Sequence, residues 1–172
     1  LEPRRIAARA AAERMAATVG SRLGEDVGLR ARLNSRTGPR VAVEVITEGV
    51  FTRMILDDPE LKGVAAVLFD EFHERSLDAD LGLALALDAR AALRPDLKIV
   101  VMSATLETRS VAKLLGEAPI IESKGRAFPV ETRYLGRSPA RLEDDVVGAV
   151  RRAVSSELGS ILVFLPGQGE IA

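Results

Sequence analysis

Two nearly continuous apolar runs, Val64 to Phe69 and Leu97 to Met102, are each followed by a stretch of helical composition, and that alternation decides the fold class. A strand with one wet face alternates polar and apolar residues; these runs do not, so both of their faces are covered. Strands covered on both faces and separated by helices belong to a mainly parallel sheet, not to a sandwich. The chain is therefore expected to be α/β, with helices on both faces of the sheet.

The punctuation agrees with that pattern. Pro3 to Val19 is alanine-rich and stops at Gly20, which predicts a helix packed closely through small side chains. Val41 to Ile46 is β-rich and ends in Thr47, a residue able to cap a helix running to about Leu56, before Asp57-Asp58-Pro59 breaks it. Further helices are expected over Leu81 to Leu93, closed by Arg94-Pro95, and over Glu107 to Leu115, stopped by Gly116. The pattern pauses at Ser123-Lys124-Gly125-Arg126, which places a domain boundary near residue 124. Beyond it, an alternating strand over Val130 to Leu135, a helix from about Leu142 to Leu158 and a buried strand over Ile161 to Leu165 would begin a second α/β unit.

Composition removes several classes of function. With 172 residues, 47% of them hydrophobic and 28% charged, the chain can build a full core and is not expected to be disordered. No apolar stretch reaches the length of a membrane span, and charges interrupt the amino-terminal segment, so a soluble protein without anchor or signal peptide is expected. The absence of cysteine rules out a disulfide framework and a thiolate metal site; it fits a reducing cytoplasm as it fits many other settings. A net charge of −1 excludes a whole-molecule basic field, so any nucleic-acid binding must be local. Arg30, Arg32, Arg36 and Arg40 form one local concentration, readable either as an anion site or as a solvated arginine-rich hairpin. Leu1 stands where a methionine would open a chain, which suggests a piece of something longer.

The chemistry-bearing residues sit at strand ends. Asp70 and Glu71 directly follow the first apolar run, with the chain's one histidine, His73, two residues on. A hard cation such as Mg²⁺ takes carboxylate oxygen, which suits Asp70, and a second carboxylate, Glu71, is placed to take a proton from an attacking water. The bland reading is a solvated loop. Ser103 and Thr105 put two hydroxyls on the loop after the neighbouring run, within reach of those carboxylates, although Thr105 would equally serve as a helix cap. Pro3, Arg4 and Arg5 offer guanidinium groups and helix-start amides suited to phosphate, and Thr47 with Gly49 offers a second helix start open to close approach. The alternative for Arg4 and Arg5 is a solvated first turn, yet two cations at the positive end of a helix dipole are unfavourable and favour an anionic partner.

These motifs, taken in order, resemble those of the DEAH-box helicases of superfamily two, most closely the HrpB-type bacterial helicases. Leu1-Glu2-Pro3-Arg4-Arg5-Ile6-Ala7-Ala8 is similar to motif Ia, Thr47-Glu48-Gly49-Val50 to motif Ib, and Asp70-Glu71-Phe72-His73-Glu74-Arg75 to motif II. Ser103-Ala104-Thr105 matches motif III and Leu162-Val163-Phe164-Leu165-Pro166-Gly167 looks like motif IV, so the likeness runs nearly end to end. It implies a RecA-like first domain over residues 1–123, the start of a second over 124–172, and ATP with Mg²⁺ as cofactors. It also implies Asp70 as the Mg²⁺ ligand, with Glu71 beside it acting on the water. His73 would link the nucleotide site to the second domain, and Ser103 and Thr105 would couple hydrolysis to domain movement. Pro3, Arg4, Arg5, Thr47, Gly49 and Gly167 would contact one strand of RNA through phosphate and sugar, without reading sequence.

One element of such an enzyme is missing from the sequence. The chain holds no Gly-x-x-x-x-Gly-Lys-Ser/Thr and no Gly-Lys pair, and Gly167-Gln168-Gly169 is no substitute. A phosphate-binding loop and an arginine finger are both needed to neutralise nucleotide charge in the transition state. The expectation is a fragment of an ATP-dependent RNA helicase with little or no ATPase activity by itself. Two other readings stay open: an idle RNA-binding or interaction module with the helicase fold, and a DNA-directed ATPase of the same superfamily.

Overall fold

The computed structural model describes residues 1–104, 108–123, 125, 128–136 and 141–171. By packing, the chain divides into two units, Leu1–Ser123 and Lys124–Ala172. The first contains α1 (Arg5–Thr18), β1 (Val27–Ala31), β2 (Asn34–Arg36), β3 (Val43–Ile46), α2 (Glu48–Asp57), β4 (Ala66–Phe69), a single 3₁₀ turn over Phe72–Glu74, α3 (Leu77–Ala92), β5 (Lys98–Val101) and α4 (Thr108–Leu114).

The expected parallel pairing is present. β1 runs parallel to β3, from Val27 opposite Val43 to Arg30 opposite Ile46, and β4 runs parallel to β5, from Ala66 opposite Lys98 to Phe69 opposite Val101. β2 turns back along the free edge of β1 through the two-residue loop Arg32-Leu33, with Leu33 in the left-handed region at φ 65°. The first two residues stitch the two strand pairs together. Glu2 N–H donates to the Ile46 carbonyl at 3.0 Å, Leu1 donates to the Leu68 carbonyl, and Asp70 N–H donates to the Leu1 carbonyl at 3.1 Å.

β3 buries side chains on both faces, but β4 and β5 alternate exposed with buried or half-buried residues, with Leu68 44% and Val100 42% exposed, so the expectation that both faces of these two apolar runs are covered does not hold among the described residues. Ala8, Ala12 and Ala16, spaced by one helical turn, lay a stripe of methyl groups from α1 on Val27, Leu29 and Val45. Ile46, the next residue along β3, points the other way into a cluster with Phe51, Ile55, Phe69, Phe72 and Leu83. Phe51 and Phe69 meet edge to face at 5.7 Å, and Phe69 and Phe72 at 6.3 Å. Gly82 lets α2 approach α3: a Cβ there would stand 3.2 Å from Phe51 Cδ1.

Several boundaries differ from expectation. α3 begins at Leu77 and not at Leu81, because the Ser76 hydroxyl caps it, accepting the Ala79 N–H at 2.9 Å, with Asp78 and Asp80 in the first turn. Thr47 occupies the position before α2, but its side chain makes no capping bond. β1 went unread as a strand because Gly28 and Arg30 interrupt its apolar pattern.

The second unit corrects two expectations outright. α5 (Leu142–Ser156) forms where a helix was predicted, and α6 (Gln168–Ile171) follows, but neither 130–135 nor 161–165 takes up strand pairing. A strand is stabilised by the ladder it shares with a neighbour, and these two runs have no described partner to pair with. None of the residues of α5 is buried.

Candidate nucleotide site and nucleic-acid interface

The acidic loop is held from beneath by Phe72. This ring is buried against Phe69, while Glu71 on one side of it is exposed and His73 on the other is half-buried. The strand ladder continues past β4 and β5 to fix the turn: Met102 N–H donates to the Phe69 carbonyl at 2.8 Å and Phe72 N–H to the Met102 carbonyl at 3.1 Å. Glu71 is set in the left-handed region at φ 49°, ψ 32°, and its N–H donates to Asp70 Oδ1 at 2.9 Å. Such a backbone costs a non-glycine residue on the order of 1 kcal/mol, and the pinned Phe72 beside it maintains the conformation. Sequence reasoning gave Phe72 no role; an aromatic residue inside an otherwise polar strand-end loop was the available signal.

His73 joins this loop to the next one. Its Nδ1 accepts the Ala104 N–H at 3.3 Å and also lies 3.3 Å from Glu71 Oε2. The two contacts are chemical alternatives, since accepting needs the Nδ1 lone pair and donating to the carboxylate needs an Nδ1 proton. Ser103 lies half-buried beside it and lines, with His73 and Arg75, a cleft of about 380 Å³. Thr105, the other predicted coupling residue, lies outside the described residues.

Carboxylates crowd the strand end. The Glu2 carboxyl is raised above its ordinary pKa by partial burial and then by the negative charge of Asp70, with a smaller contribution from Glu71. No group of three or more His, Asp or Glu side chains converges as a preformed cage among the described residues. Mg²⁺ keeps several waters and takes one or two carboxylates together with substrate phosphates, a donor type supplied at this strand end. Asp70 and Glu71 are the residues that would hold it.

The predicted nucleic-acid contacts divide. Pro3, Arg5, Thr47 and Gly49 come together along an open groove of about 940 Å³, joined by Arg30, Arg32 and Arg53. Arg53, on α2, was not foreseen, because it stands apart from the arginine run in sequence. Arg30 is partly engaged, forking onto Glu44 Oε1 at 3.0 and 3.2 Å, and Asp57, Asp58 and Asp78 make the groove mixed in charge. Arg4 turns elsewhere: its Nη2 bonds Glu74 Oε1 at 2.9 Å, tying the start of α1 to the 3₁₀ turn after β4. Gly167 belongs to the second unit.

No family model matches the chain. Over 99% of its length it is 53% identical to the ATP-dependent RNA helicase HrpB of Escherichia coli, of which it covers 21%. It is 39% identical over the same share to the probable ATP-dependent RNA helicase DHR2 of Saccharomyces cerevisiae, of which it covers 23%. In fold it matches the crystal structure of the E. coli DEAH/RHA helicase HrpB with a TM-score of 0.91 at 52% identity, over 99% of this chain and 22% of that one. A second crystal structure, of the E. coli DExH-box NTPase HrpB, matches with a TM-score of 0.76 at 52% identity, over 99% of this chain and 21% of that one. The chain thus spans about a fifth of the length of the relatives it matches.

Proposed function

We propose that this chain, DEAH-box helicase sequence in a RecA-like α/β fold, is a segment of a cytoplasmic ATP-dependent RNA helicase of the HrpB kind. The parent would couple ATP hydrolysis to movement along RNA or to its unwinding. The observation that carries this reading is the locked pair of strand-end loops after β4 and β5, which sets Asp70 and Glu71 side by side at the strand end and bonds His73 to Ala104. In it, Glu71 orients the attacking water and takes its proton, while Asp70 holds Mg²⁺ through water. When bound, Mg²⁺ would offset the charge of the nucleotide phosphates. His73, Ser103 and Thr105 pass the state of that site onward. Residues 124–172 begin the second RecA-like domain and carry Gly167 as an RNA contact of that unit; in the first unit Pro3, Arg5, Thr47 and Gly49 contact the RNA backbone.

The chain contains no phosphate-binding loop, so it should not turn over ATP by itself. In the full-length parent, Glu71→Gln should lower RNA-stimulated ATP turnover by at least about 100-fold while ATP binding persists. Turnover unchanged by that substitution, or turnover by the isolated chain, overturns the reading. Stimulation by single-stranded DNA in place of RNA would instead favour a DNA-directed ATPase.

A further inference from the structure

Glu48 is the one charged side chain buried among the described residues, at 8% exposure; no Lys, Arg or His among them pairs with it, and the cation that feels its charge is the Leu1 ammonium. Taking a carboxylate out of water without a paired side-chain cation is costly, so its partner matters. That partner is Ser76, whose hydroxyl donates to Glu48 Oε2 and accepts the Ala79 N–H at 2.9 Å. One hydroxyl therefore caps α3 and satisfies a buried acid on α2, and both bonds together fix its rotor.

The position of this bond gives it a meaning beyond stability. Glu48 lies between Thr47 and Gly49, the helix start on the arginine-lined groove. Ser76 follows the motif II turn by one residue, with Arg75 between them. Elsewhere α2 and α3 approach closely where Phe51 lies over Gly82, at which a Cβ would stand 3.2 Å from Phe51 Cδ1. The exposed Arg4 to Glu74 pair ties the start of α1, not of α2, to the same turn, and an exposed ion pair is weak and screened by salt. The buried bond is the stiff connection.

We infer that the Glu48 to Ser76 hydrogen bond is a latch: RNA seated at the start of α2 acts through it on the motif II loop, making both residues positioning residues for RNA-stimulated hydrolysis. The inference rests on the function proposed above. The test uses the full-length parent and a polyuridine strand, comparing basal and RNA-stimulated ATP turnover, the affinity for RNA and the thermal midpoint. Ser76→Ala should cut the stimulated kcat by at least about fivefold, with basal turnover and RNA affinity within about twofold of the parent's. Ser76→Asp keeps an acceptor for the α3 cap but has no hydroxyl proton to donate, so it should lose stimulation while the helix stays capped. Ser76→Thr keeps both bonds and should restore it. Glu48→Ala combined with Ser76→Ala should be no worse than either alone.

Stimulation retained in Ser76→Ala and Ser76→Asp overturns the latch. So does a parallel fall in basal and stimulated rates, which would mark a merely structural bond, or a fall confined to RNA affinity. A wild-type parent with no RNA-stimulated turnover overturns the proposed function itself, and the latch with it.

Discussion

Leu1–Ser123 and Lys124–Ala172 are written in the same kind of sequence, yet only the first becomes layered. The run Ile161 to Leu165 is at least as apolar as Val64 to Phe69. In the first unit Phe69 is 1% exposed, its strand paired with β5 and its ring packed on Phe51; in the second, Leu162 is 78% and Phe164 85% exposed. The helices differ in the same way, since α3 buries Ala79, Gly82, Leu83, Ala86 and Ala89 whereas α5 buries none of its residues. Helices form in both units because their hydrogen bonds close within the segment; strands form only where another strand supplies the other half of the ladder.

Three measurements would break or sharpen that contrast. The largest effect should come from Phe51→Ala, which removes a fully buried ring and should cost about 3–5 kcal/mol in urea unfolding, against less than about 0.5 kcal/mol for Phe164→Ala. Equal losses would mean that the second unit has a core of its own. Next, Gly82→Val forces branched methyl groups against Phe51 and should cost about 1–3 kcal/mol. The same change at Gly148, which has nothing within 4 Å, should stay within about 0.5 kcal/mol. A costly Gly148→Val would reveal a packed face on α5.

The smallest effect is electrostatic. The Arg94 guanidinium bonds Asp96 at 2.8 Å and holds its carboxyl down to about 2, below the ordinary 3.8. A carboxyl depressed in the folded state adds stability above its unfolded pKa and loses it as the pH falls through the folded value. The stability advantage of the native chain over Asp96→Asn should therefore be present at pH 5 and fade toward pH 2. Arg133 likewise holds the Glu131 carboxyl below its usual range. With no packed unit around that pair, Glu131→Gln should leave the unfolding midpoint unmoved at both pH values. A pH-dependent loss in Glu131→Gln would show that this pair supports folded structure.

Much of the site was legible. The order of acid pair, Ser-Ala-Thr and helix starts along alternating strands identified the loops, and Asp70, Glu71 and His73 stand together on one of them. Arg4 was misjudged in company, because nothing local says that its side chain meets Glu74, 70 residues away. Arg53 and Glu48 escaped notice for the same reason, their roles coming from neighbours distant in sequence, whereas Phe72 packs on Phe69 three residues back and left a local signal.

Taken alone, the sequence determined most of the helices and their breakers, the α/β class, and the residue types at the strand ends, since each depends on periodicity or turn chemistry within a few residues. Tertiary structure decided which apolar runs pair, how Leu1 and Glu2 join β3 to β4, which arginines share the groove, and that a buried Glu48 meets Ser76. Those outcomes depend on contacts between segments far apart in the chain. Local spacing carries no record of which distant partner will be present to complete a ladder or satisfy a buried charge.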